Sequence, residues 1–93
     1  MAKVTVKIPT PLRKFTAGQD LVSAEGPTVL AVVDELEARH AGLKAKLVDE
    51  NNKVRRFINI YCNEDDVRFL QGVSTELKDN DVLSIIPAIA GGR

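Results

Sequence analysis

The spacing of apolar residues changes at Glu25-Gly26-Pro27-Thr28, and this change limits the chain to very few architectures. Before it, Val4, Val6 and Ile8 alternate with Lys3, Thr5 and Lys7, the two-residue repeat of a half-buried strand. After it, Val29, Leu30, Val33, Leu36 and Ala41 follow helical spacing, with Asp34, Glu35, Glu37 and Arg39 on the wet side. Thr28 is suited to cap the helix through its hydroxyl, and Gly42 to end it. Leu43 to Leu47 adds one further turn, and 49–53 is a polar loop.

Strand character returns at Val54 and is expected to run to Asn63, on the aromatic and β-branched content of the stretch. A second strand over Gln19 to Ala24 completes an N-terminal hairpin. Thr10 to Gly18 reads as its connection, from which Leu12 or Phe15 reaches back into the core. Asn63 to Asp66 is a turn, Val67 to Leu70 a short edge strand, and Gly72 to Lys78 a connection. Asp79-Asn80-Asp81 turns the chain into a last strand, Val82 to Ile86. One main helix over a small mixed sheet is an α+β two-layer domain. If its first and last strands lie together as parallel neighbours at the centre, both termini emerge at opposite ends of the core; the radius of gyration expected is roughly 12 Å.

Ninety-three residues leave room for one small domain. Thirteen Lys and Arg balance thirteen Asp and Glu, so no overall field favours nucleic acid or an anionic membrane as partner. Cys62 is the only cysteine and His40 the only histidine, which excludes an internal disulfide and multi-cysteine or three-histidine metal sites. No metal site is expected. No signal-like leader and no run of membrane-spanning length is visible, so the expected location is cytoplasmic.

The segment with the most functional information is Pro87-Ala88-Ile89-Ala90-Gly91-Gly92-Arg93. Pro87 marks the exit from the last strand, and Ala88 to Gly92 can reach roughly 17 Å. The division expected is a domain over 1–87 and a flexible tail over 88–93. Paired glycines are slender enough to enter a narrow channel in another protein and present a carboxylate there. On the residues alone, a functional tail and a frayed terminus both remain open.

The order of these features resembles the ubiquitin-like sulfur-carrier family. The resemblance rests on the first strand followed by Leu12-Arg13, the helix opened by Thr28-Val29, the turn Leu77-Lys78-Asp79-Asn80-Asp81-Val82, and Pro87 to Gly92. The stretch from Phe57 to Phe69 is similar to the cysteine-biosynthesis branch. The resemblance implies a β-grasp fold and a protein-bound cosubstrate, not an enzyme. Gly92 would be the carrier site, adenylated by an activating enzyme using Mg-ATP and then converted to a thiocarboxylate. Gly91 would give clearance, and Ala88, Ile89 and Ala90 a narrow neck.

The same resemblance implies a pyridoxal-phosphate-dependent cysteine synthase as acceptor, and a metalloprotease that trims or releases. The alternatives are the small subunit of molybdopterin synthase, with that enzyme's large subunit as partner, and a noncatalytic ubiquitin-like interaction module. Activation requires a free Gly92 carboxylate, so Arg93 has to be removed first.

Other polar residues receive plainer readings. Cys62 is a buried small hydrophobe, and His40 is a solvated or capping residue near the helix end. Glu64, Asp65 and Asp66 are solvated turn carboxylates. Arg55 and Arg56, as strand neighbours, would face opposite ways. Arg56, Arg68 and Phe69 are the candidates for partner docking.

Overall fold

The computed structural model describes residues 2–87. Strand β1 (Lys3–Lys7) and strand β2 (Leu21–Glu25) form the expected antiparallel hairpin, with Val4 facing Ala24 and Val6 facing Val22. The alternation predicted for β1 holds, since Val4, Val6 and Ile8 are buried while Lys3 and Lys7 are exposed. Thr10 to Gly18 is more than a connection: Thr10–Thr16 forms a 3-10 helix with Pro11 in its first turn. Its Leu12 is buried, Phe15 packs on the core, and Ala17 and Gly18 end it at positive φ.

Helix α1 (Val29–Arg39) opens as predicted, with Thr28 Oγ1 accepting from the Ala31 amide at 3.2 Å. Its buried face is Val29, Val32, Val33 and Leu36, whereas Leu30 is half-buried and Ala41 exposed. Gly42 follows at φ 97, with the Phe15 ring so close that a Cβ would lie 3.0 Å from it. Glycine is needed here for both reasons. Helix α2 (Leu43–Leu47) then buries Leu43 and Leu47. The Glu37 carboxylate joins the two helices by accepting from the Gly42 and Lys44 amides, which hold it below the usual carboxylate range.

Strand β3 (Ile58–Cys62) starts four residues later than the aromatic and β-branched content suggested, because Arg55 to Ile58 is a turn closed by the Ile58 amide on the Arg55 carbonyl. Arg55 and Arg56 are therefore not opposed strand neighbours. The expected edge strand over Val67 to Leu70 is instead a 3-10 helix, Val67–Phe69. Asp66 redirects the chain by capping it, its side chain accepting from the Arg68 amide at 2.8 Å. The edge is held by a two-residue strand β4 (Asp65–Asp66), and Gly72–Ser74 is a further 3-10 turn.

Strand β5 (Val82–Pro87) lies at the centre of the sheet order β2-β1-β5-β3-β4. It runs parallel to β1, with Val6 facing Leu83, and antiparallel to β3, with Ile60 facing Ile85. Helices cover one face, over a core that includes Val6, Leu36, Leu47, Ile60 and Leu83. The radius of gyration is 12.0 Å. A mixed sheet wrapped on one main helix, with its first and last strands side by side, is the β-grasp arrangement.

Candidate functional site

Ala88, Ile89, Ala90, Gly91, Gly92 and Arg93 lie outside the described residues, and so does the expected tail boundary. The structure does place the residue that leads into them. Pro87 ends β5 opposite Ile58, at the end of the sheet away from Lys3, where β1 begins. Proline supplies no amide to the ladder, which suits the last position of a central strand.

Two of the three docking candidates, Arg56 and Arg68, are tied to this end through Ile58 and its turn. Arg56 and Phe57 sit at the tip of the turn leading to Ile58, both exposed, with the Arg56 guanidinium 5.7 Å from the Phe57 ring centroid. Phe69, on the neighbouring 3-10 helix, is 87% exposed, Phe57 is 53% and Ile86 is 46%. Arg68 plays a different part: one guanidinium nitrogen donates to Asn59 Oδ1 at 2.6 Å, and the other to the carbonyls of Arg55 at 2.5 Å and Ile58 at 2.6 Å. Arg55 is also engaged, its Nε donating to the Ala45 carbonyl at 2.6 Å.

The opposite end of β5 is closed by a polar network that the sequence reading did not assemble. Asp81 is buried, and its carboxylate accepts from the Lys78 amide at 2.8 Å and from Asn63 Nδ2 at 3.1 Å. The Cys62 thiol lies 3.7 Å from the same carboxylate. Burial alone would raise the Asp81 pKa, but the Lys78, Asn63 and Cys62 donors together hold it below its ordinary value. Asn63, at φ 60, uses its Oδ1 to receive the Val82 amide at 3.0 Å. The signal was present as an Asn closing one strand and an Asp opening another, but their proximity depends on β3 pairing with β5.

This network also fixes the character of Cys62. Burial first, and then the Asp81 charge and hydrogen bond, push its thiol pKa up, so the reactive thiolate is disfavoured. His40 caps α1 through its backbone, donating its amide to the Leu36 carbonyl at 2.6 Å. Glu64 is exposed beside β4, Asp65 pairs opposite Cys62, and Asp66 is occupied in capping. Among the described residues no three His, Cys, Asp or Glu side chains are grouped to hold a metal ion.

The sheet order, the covering helix and a central last strand leading towards Gly91-Gly92 define a ubiquitin-like β-grasp domain. Comparison with known proteins makes the assignment specific: the ThiS family matches residues 6–92, and the chain belongs to that family. It is 50% identical over 91 residues to the Mycobacterium tuberculosis sulfur carrier protein CysO, covering 96% of this chain and 98% of that one. The crystal structure of the Amycolatopsis orientalis BexX/CysO complex contains a chain 56% identical to this one, with a TM-score of 0.90. The match covers 96% of this chain and 99% of that one. The crystal structure of Mycobacterium tuberculosis CysO gives a TM-score of 0.89 at 48% identity, covering 92% and 99%.

Proposed function

We propose that this protein is a sulfur carrier for cysteine biosynthesis, loaded at the Gly92 carboxylate. The observation that carries the reading is the ThiS match extending through Gly92, together with half-identity to sulfur carrier proteins along nearly their full length. The chain is a cosubstrate of partner enzymes and not an enzyme itself. Whatever follows Gly92 ties up its carboxylate as an amide, so Arg93 is removed before loading.

The chemistry then follows from leaving groups. A carboxylate is a poor electrophile. In the activating enzyme, a Gly92 carboxylate oxygen attacks the α-phosphorus of Mg-ATP and expels pyrophosphate. A sulfide-level donor then forms a C–S bond at the carbonyl as AMP departs, leaving a thiocarboxylate. Its sulfur adds to an aminoacrylate held on pyridoxal phosphate in a partner synthase. Acyl transfer from sulfur to nitrogen leaves cysteine in amide linkage to Gly92, and a metalloprotease releases it. The docking surface for the activating enzyme includes exposed Ile86 on the last strand and Arg56 and Phe57 at the turn opposite Pro87, with exposed Phe69 as a further anchor. The relative crystallised with BexX supports a partner protein engaging a chain of this kind. The process is assigned to the cytoplasm.

Intact and top-down mass spectrometry of the untagged protein from its own cells tests the reading. The expected species ends at Gly92 with one carboxyl oxygen replaced by sulfur, accompanied by a form heavier by one cysteine residue. Finding only chain that retains Arg93, under conditions that demand sulfur transfer, would overturn it.

A further inference from the structure

Arg68 occupies a position that neither charge nor exposure explains. Strand β3 pairs with β5 along its whole length, but β4 covers only Tyr61 and Cys62 on the other side. The antiparallel ladder alternates, and the Asn63 amide donates to the Val82 carbonyl at 2.7 Å, which places Asn63, Tyr61 and Asn59 at the positions bonded to β5. Ile58 therefore directs its amide and carbonyl away from β5, towards the side that β4 leaves uncovered. The amide is satisfied by the Arg55 carbonyl at 3.0 Å, and the carbonyl by Arg68 at 2.6 Å. The same guanidinium also donates to the Arg55 carbonyl and to Asn59 Oδ1. One planar fork thus stands in for the missing strand partner and ties the ends of the 55–58 turn to the start of β3.

We propose that Arg68 is a positioning residue: its guanidinium holds the Arg56-Phe57 turn rigid beside Pro87, so that the surface around the exit of the tail is formed before a partner arrives. The proposal rests on the carrier reading for its function, but the holding itself is a property of the folded chain. It differs from simple docking, in which Arg68 would offer its charge to the partner. Nη2, which both two-pronged edges of a guanidinium share, is committed to the Arg55 and Ile58 carbonyls, and Nη1 donates to Asn59 Oδ1, so no bidentate edge is left for a partner carboxylate. A preformed surface lowers the ordering cost of association. Loss of the fork should therefore weaken partner binding without altering the chemical step.

Lysine separates the two roles, because Arg68→Lys keeps the charge and loses the planar fork. Hydrogen exchange on Arg68→Lys and Arg68→Ala should show the Ile58 amide exchanging about tenfold faster or more, while Ile60 and Leu83 are unchanged. In ATP–pyrophosphate exchange with the activating enzyme from the same cells, using chain ending at Gly92, both variants should raise KM for the carrier roughly five- to tenfold. In both, kcat should be preserved. If Ile58 exchange is unchanged in Arg68→Lys, or if that variant matches wild-type KM, the positioning role is overturned and the carrier reading stands. A wild-type chain ending at Gly92 that is never adenylated overturns the carrier reading, and with it the functional half of this inference.

Discussion

The two ends of strand β5 are built on opposite principles. At its start, Asp81 is buried with partners on both carboxylate oxygens, and Asn63 clamps Val82 from the neighbouring strand. At its finish, Pro87 follows exposed Ile86 and lies opposite Ile58, next to exposed Phe57, with the Arg68 guanidinium in place of a strand partner. One end holds its buried carboxylate in hydrogen bonds from the protein's own groups and anchors the strand. The other leaves large apolar side chains exposed. A carrier needs this asymmetry, because the segment that enters a partner must be moved without disturbing the core that bears it.

The largest effect that tests the contrast is truncation. A chain ending at Pro87 should melt within about 3 °C of the full-length protein, while adenylation falls to background. Calorimetry together with pyrophosphate exchange reads both outcomes, and a large drop in melting temperature would show that the exit end contributes to the core. Within the strand, Leu83 is buried between Val6 and Cys62. Leu83→Ala should cost about 2–5 kcal/mol in urea unfolding, with the sulfur chemistry of the surviving folded fraction intact.

Asp81 gives the next effect, and pH reveals it. Its folded pKa lies below the ordinary 3.8, so the unfolded chain binds the proton more readily. The stabilisation is fully present above about pH 3.8 and is lost as pH falls through the lower folded value. Asp81→Asn should cost about 1–3 kcal/mol at neutral pH, by replacing a charged acceptor. It should also flatten the acid limb of the stability curve. Urea titrations between pH 2 and 7 would show the effect; an acid limb identical in both proteins would remove Asp81 as its cause.

The anchored end and the exposed end were not equally legible in the sequence. Local pattern was enough for β1 and for Thr28 as the cap, since alternation and capping act over a few residues, whereas the parallel pairing of β1 with β5 joins residues far apart in the chain. It failed where a side chain overrides backbone preference. Arg55-Arg56-Phe57 looks like the start of a strand, yet a turn forms because Arg55 is tied to the Ala45 carbonyl and Arg68 holds the turn's ends. Val67-Arg68-Phe69 has strand composition, but the Asp66 side chain caps it into a 3-10 helix. Ile58 and Arg68 are distant in sequence, so no short-range spacing reveals their bond. Arg56, Arg68 and Phe69 were recognisable as one group, while the division of labour between a holding Arg68 and an exposed Phe69 required the fold.

That division sets the last test, at the residue with the least structural work to do. Phe69 is so exposed that its ring loses little on unfolding, and Phe69→Ala should change stability by no more than about 0.5 kcal/mol. If its ring is an anchor for the activating enzyme, the same substitution should weaken that complex about tenfold, as burial of an aromatic side chain at an interface does. Calorimetric titration of the two purified proteins measures this directly. Affinity equal to wild type would move the anchor to Phe57 and Ile86. A stability loss comparable to that of Leu83→Ala would make Phe69 part of the folding core and erase the difference between the two ends.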